Sequence, residues 1–155
     1  MENRIEEFME TSGNEISIFR LLEPEERRKL AGSFDKVHYP AGTILHREGE
    51  KINHIGIIFS GKLNFERQRK ITGKPITLAI LERGAHIGDF SMMPEREVLG
   101  QLRAIEDTEL LIISHARLDA FMQEHPHTGI KILKGINTIL TVRLKSAIDQ
   151  VVLLS

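Results

Sequence analysis

GAHIGDFSMMPEREVLGQLRA, residues 84–104, is the stretch around which the rest of the chain is arranged. Gly84 and Gly88 bound its opening and permit backbone conformations and close approaches that a Cβ would block. The amides from Gly88 to Ser91 can therefore converge at the start of a short helix, expected over residues 89–93, which is how a chain builds an anion pocket. Beyond Pro94 the pattern turns extended. Val98, Leu102 and Ala104 alternate with Leu99, Gln101 and Arg103, so Val98 is expected on the apolar, inward face of a strand.

On either side of this stretch, between Phe34 and His115, short apolar runs are punctuated by glycine: residues 37–39, 43–45, 54–60, 63–69, 76–82, 98–105 and 109–114. Strand-length runs with turn residues between them predict a mainly β chain, an antiparallel β-roll or jelly-roll barrel. ITGK at residues 71–74 reads as a hairpin tip. Upstream, Ile5, Phe8 and Met9 fall at helical spacing within residues 2–10. A second helix follows in IFRLLEPEERRKLAGSF, residues 18–34, with Pro24 in its first turn, acids after it, bases near its end and Gly32 closing it. Phe19, Leu22, Leu30 and Phe34 are its expected core side chains.

Downstream, HARLDAFMQEHP reads as a helix presenting Leu118, Phe121 and Met122 and stopped by Pro126. Residues 128–155 form the longest expected helix. At about 100° per residue, Ile132, Leu133, Ile136, Ile139, Leu140, Leu144, Ala147, Val151 and Leu154 share one broad apolar stripe. That is wider than covering a small barrel requires, so something should cover the remainder. Pairing along Leu133, Ile136, Leu140, Leu144, Ala147, Val151 and Leu154 would make a coiled coil with one stutter between Leu140 and Leu144.

The 155 residues suit one domain: N-terminal helices over 1–33, a β-roll over 34–114 and C-terminal helices over 115–155. A formal net charge of −1 supplies no global field for nucleic acid or an anionic membrane. The bases at 27–29, and Arg67, Arg69, Lys70 and Lys74 on the hairpin, read as solvated faces among interspersed acids. Without cysteine there are no disulfides, iron–sulfur clusters or thiolate metal sites. The charged opening MENRIEEFME is not a secretory signal, and no apolar run approaches a membrane span, so a cytoplasmic location is expected. Neither G-x-S-x-G nor a phosphate-binding P-loop occurs, and catalysis has no visible carrier.

The order of residues in 84–104 resembles the phosphate-binding cassette of the cyclic-nucleotide-binding domain family, G-E-[LI]-A-L followed after a few residues by P-R-x-A-[ST]-V-x-A. The glycines at 42, 49, 61, 84 and 88 add the family's frames Y-P-x-G-x-x-I, x-E-G-E, I-x-x-G and G-x-x-x-G, and the resemblance runs from about Phe19 to the C-terminus. It implies a regulatory domain, not an enzyme, with a pocket at Gly88, Asp89, Phe90, Ser91, Arg96, Val98, Gly100 and Gln101. The ligand implied is cyclic AMP, cyclic GMP or another cyclic nucleotide. Asp89 takes the place of the glutamate that holds the ribose, one methylene shorter. The family's phosphate-binding arginine falls on Val98, and its small and hydroxyl residues fall on Gly100 and Gln101. Arg96 lies two residues from the vacated position, between Glu95 and Glu97.

Three readings stay open: a cyclic mononucleotide pocket, a pocket changed to another ligand, and a loop that only completes the fold as part of a ligand-free dimerisation module. The resemblance also implies a homodimer along the C-terminal helix, or docking of that helix on another signalling protein. Relatives that bind DNA carry a helix-turn-helix after that helix; none follows here, so direct DNA binding is not expected. A metal-dependent jelly-roll enzyme of the cupin type is the remaining alternative, faintly suggested by His46, Glu48 and His54. Such a site needs imidazoles one residue apart on one strand face. His46 and His54 are eight apart, and His125 and His127 straddle Pro126, so no metal is expected.

Overall fold

In the computed structural model, residues 2–12, 16–88 and 96–155 are described. The chain opens with α1 (Glu2–Thr11), a 3-10 turn at Ser17–Phe19 and α2 (Pro24–Ala31). Eight strands follow: β1 (Asp35–Tyr39), β2 (Ile44–His46), β3 (His54–Ser60), β4 (Leu63–Gln68), β5 (Pro75–Leu81), β6 (His86–Gly88), β7 (Gln101–Ala104) and β8 (Thr108–Ser114). Two helices close the chain, α3 (His115–Glu124) and α4 (Pro126–Leu154). The strands form two antiparallel four-stranded sheets, ordered β1-β8-β3-β6 and β2-β7-β4-β5. This is the expected β-roll with flanking helices.

Two cores follow from the alternation of side chains across the first sheet. Ile55, Ile57, Phe59, Leu111 and Ile113 face outward and pack under the helices with Phe8, Met9, Phe19, Leu22, Leu30, Phe34, Leu118 and Phe121. Ile58, Leu63, Ile87, Leu102, Ala104 and Leu110 fill the roll, with Phe65 and Leu81 packed against them. Strand β3 is thus buried on both faces, which is why His54–Ser60 reads as a nearly continuous apolar run.

Three sequence expectations change. The run expected over 98–105 is a strand only at Gln101–Ala104, because residues 96–98 pair with the 49–52 loop and Leu99–Gly100 bend. Strand β6, only three residues long, was not expected; it is too short for period-2 alternation to register. Arg27 is not on a solvated face. It is buried, with Nη1 donating to the Leu22 carbonyl at 2.8 Å and Nη2 to the Glu10 carbonyl at 2.8 Å, and so ties α1 to α2. The helix expected at 89–93 lies outside the described residues.

Helix α4 divides its broad stripe between two uses. Ile132 and Ile136 are buried against the body, with Ile139 beside them. Gly135 makes this possible: a Cβ there would stand 2.3 Å from the Ile18 carbonyl oxygen, so only glycine lets the 3-10 turn lie against the helix. Ile136, expected in a dimer seam, is only 6% exposed and is spent inside the protomer. Leu133, Leu140, Leu144, Val151 and Leu154 are 47–89% exposed, and every residue from 141 to 155 is exposed.

Candidate functional site

Strand β6 is the way into the candidate site. A turn holds its start, with the Gly84 amide donating to the Ile58 carbonyl at 2.8 Å and the Ile58 amide to the Ala85 carbonyl at 2.9 Å. The strand then pairs with β3 as His86 opposite Ile57, Ile87 opposite Gly56 and Gly88 opposite Ile55. Gly88 sits at φ +104°, and a Cβ on it would lie 2.4 Å from the His54 carbonyl oxygen and 2.9 Å from Ile55 Cα. Its expected role as the glycine of close approach therefore has a local cause in the crossing with β3. Asp89, Phe90 and Ser91 lie outside the described residues, and so does the question of whether their amides converge.

The far side of the stretch returns at Arg96. Its carbonyl accepts from the Ile52 amide at 3.4 Å, and its side chain is exposed. Val98 is half-buried and locked by its backbone, donating to the Glu50 carbonyl at 2.8 Å and accepting from the Gly49 amide at 3.0 Å. Gly100 is buried beneath the Phe65 ring: a Cβ would meet Phe65 Cε2 at 2.5 Å and the Glu66 carbonyl oxygen at 2.8 Å. The position expected to be small beside a ligand is small here for packing. Gln101 is placed on the other face of β7 from the buried Leu102, with Nε2 donating to Glu66 Oε1 at 2.9 Å. Glu66 also accepts from Asn64 Nδ2 at 2.9 Å and lies 3.6 Å from Arg103 Nη2. This carboxylate network sits across the sheet from the roll interior. A cleft of about 400 Å³ opens beside it between Arg47, Glu48, Glu66, Arg67, Gln68, Pro75 and Gln101. Its charges are mixed, two arginines and two glutamates, and Arg67 is held by Glu48 at 3.0 Å.

Two histidine arrangements escaped the sequence. His46 and His54 are brought together with ring centroids 5.1 Å apart, and the Nε2 atom of each is buried without a hydrogen-bond partner. Burial, followed by the nearby His46 and His115 charges, pushes His54 down to about 4, and burial lowers His46 as well. Both are neutral at pH 7. Among the described residues no group of three or more metal-ligating side chains forms. His86 lies 2.6 Å, Nε2 to Nη2, from Arg143 of α4; burial and then that guanidinium push it to about 4, so the neutral imidazole accepts from the arginine. No spacing rule links residues 57 apart, so only the fold reveals this contact.

A family model described as the cyclic nucleotide-binding domain matches residues 36–125. A lysophospholipase NTE1 from Chaetomium globosum is 33% identical over 110 residues, 71% of this chain. The chain spans only 7% of that protein's length. A cyclic AMP receptor protein from Thermus thermophilus is 29% identical over 138 residues, covering 89% of this chain and 62% of its own. Among solved structures, the Thermus thermophilus catabolite activator protein superposes with a TM-score of 0.80 at 28% identity, covering 89% of this chain and 62% of that one. A cyclic nucleotide-binding domain from Methylobacillus flagellatus shares the fold at a TM-score of 0.80 and 22% identity, covering 94% of this chain and 85% of that one. Among the described residues no helix is long and apolar enough to cross a membrane. With the two-sheet roll, the β6 entry and a family model matching residues 36–125, the chain belongs to the cyclic nucleotide-binding domain family.

Proposed function

We propose that residues 1–155 act as one cytoplasmic regulatory unit that catalyses nothing itself, takes a cyclic nucleotide or related small ligand under residues 84–104, and signals through pairing of α4 with a second copy. The observation that carries the ligand side is the asymmetry of the site. Its β6 end keeps the close backbone crossing at Gly88, while its far end offers Val98 and the Phe65 ring over Gly100. A cyclic phosphate would meet apolar groups at that end, so cyclic AMP and cyclic GMP bind weakly. The ligand class is supported by the similarity to a protein named as a cyclic AMP receptor. The output is supported by Leu133, Leu140, Leu144, Val151 and Leu154, all exposed on α4, with Ala147 among them. At about 1.5–3 kcal/mol for each large side chain, their burial is comparable to or exceeds an association cost of about 4–15 kcal/mol.

Calorimetric titration of the wild type, Arg96→Ala and Val98→Arg with cyclic AMP and cyclic GMP tests the reading. A restored charge-assisted fork contributes about 1.5–3 kcal/mol per bond, roughly one to two powers of ten in Kd. The wild type should bind at tens of micromolar or more weakly, and Val98→Arg correspondingly more tightly. Submicromolar wild-type binding that survives Arg96→Ala would overturn it. A second reading, a ligand-free dimerisation module, is favoured by the Phe65–Gly100 packing. No binding even by Val98→Arg would select it.

A further inference from the structure

We propose that the tip of the β4–β5 hairpin, residues 69–74, docks on an anionic lipid surface, with Ile71 entering the headgroup layer and Arg69, Lys70 and Lys74 meeting the lipid anions. The proposal depends neither on the ligand of the 84–104 stretch nor on α4.

The tip is a built turn. Strands β4 and β5 pair as far as Gln68 opposite Pro75. Beyond that pair the Arg69 amide donates to the Lys74 carbonyl at 2.9 Å, and the Gly73 amide to the Arg69 carbonyl at 2.8 Å. These bonds hold Ile71 at the apex, where it is 98% exposed, more than any other large apolar side chain among the described residues. Turn geometry favours glycine, asparagine, aspartate and proline, and gains nothing from a β-branched apolar residue. A lone exposed isoleucine would be ordinary, but the apolar character continues down β5, the edge strand of its sheet, where Ile76, Leu78 and Ile80 are 38–51% exposed. Four large aliphatic side chains within residues 71–80 thus face water on one hairpin.

The charge on that hairpin has one sign. Residues 67–81 hold Arg67, Arg69, Lys70 and Lys74 and no acid, so with −1 for the whole chain the remainder carries −5. Glu48 holds Arg67 at 3.0 Å. Arg69, Lys70 and Lys74 are exposed, and their side chains make no hydrogen bond or ion pair among the described residues. The acids that would make this a neutral solvated face are therefore missing at the tip, and the field there is local although the chain as a whole supplies none. Cations ringing an exposed apolar apex match a surface that is anionic outside and apolar beneath, which describes an anionic lipid leaflet. A nucleic-acid backbone would match the cations and leave Ile71 in water. Each cation near such a leaflet contributes about fivefold in affinity, so the three together contribute about a hundredfold.

The chain has no tryptophan, so Ile71→Trp turns the tip into a single fluorescent reporter at a position outside both cores. Titration of that variant with vesicles of phosphatidylcholine and about one-third phosphatidylserine should shift its emission to the blue, and the wild type should co-sediment with the same vesicles. Replacing Arg69, Lys70 and Lys74 together by glutamine should lower the partition coefficient about a hundredfold, and Ile71→Asn about tenfold. Raising the salt from about 0.1 to about 0.5 M should weaken binding several-fold. Absence of both the blue shift and co-sedimentation at millimolar lipid would overturn the proposal, and so would equal binding to phosphatidylcholine alone. An emission already blue without vesicles would show a second copy covering the tip and overturn it too. Tighter binding to a DNA duplex, unaffected by Ile71→Asn, would assign the cations to nucleic acid and overturn the lipid reading.

Discussion

Replacing Gly88 by alanine strikes the point where the roll hands the chain to the candidate site. Two costs add there. The backbone sits at φ +104°, which an L side chain tolerates at about 1–3 kcal/mol. The new Cβ would also stand 2.4 Å from the His54 carbonyl oxygen and 2.9 Å from Ile55 Cα, both backbone atoms of β3 that cannot rotate away. Relief requires β6 to lift off β3, and among the described residues three residue pairs hold it. Gly42→Ala separates the costs, because Gly42 has a similar φ of +87° with nothing within 4 Å of its Cβ position. Gly42→Ala should lose about 1 kcal/mol, and Gly88→Ala about 3 kcal/mol or more. In a chain of this size that is about 2–4 °C in Tm against about 6–12 °C. Urea unfolding followed by fluorescence or circular dichroism, with the m-value checked for constancy, measures both. If Gly88→Ala costs no more than Gly42→Ala, the crossing of β6 over β3 is not the constraint described here.

Gly135→Ala sets helix propensity, which favours alanine by about 1 kcal/mol, against a Cβ placed 2.3 Å from the Ile18 carbonyl oxygen. The clash should win, with a net loss of about 1–2 kcal/mol in urea unfolding; a stabilised variant would show that the 3-10 turn is free to move away. His46, His54 and His86 all have folded-state pKa values below the usual 6.5, those of His54 and His86 at about 4. The unfolded chain therefore binds more protons between about pH 4 and 6.5, so this contribution is complete above pH 6.5 and lost as pH falls through that window. Urea midpoints from pH 7 to 4 should decline, and His86→Gln should flatten the decline.

What could be read from the chain depended on how far each signal reaches along it. Pro24 and Gly32 bracket α2 within one short stretch, and the long apolar run of β3 announces a strand buried on both faces. Strand β6 gave no alternation to count at three residues. On α4 the sequence merges two stripes, because the body-facing Ile132, Ile136 and Ile139 and the exposed Leu133, Leu140 and Leu144 fall within one broad arc. Only burial separates them, and it assigns Ile136 to the body of the protomer. At the candidate site, the apolar character of Val98 was legible, since that is a matter of residue type. The Phe65 ring over Gly100 was not, because nothing local signals that residues 35 apart will stack. The same applies to His46 and His54, which a turn folds into contact, and to Arg27, whose burial depends on carbonyls offered by α1.

The Arg143–His86 contact fixes the length of a lever. Every residue of α4 from 141 onward is exposed, and Arg143 touches the strand that ends at Gly88. From Arg143 to Leu154 the helix projects about 17 Å at 1.5 Å per residue. A tilt of about 10° about that fulcrum swings Leu154 through about 3 Å, while His86 shifts by a fraction of that. A small displacement at the end of β6 that tilted the helix about this contact would be magnified at its exposed tip.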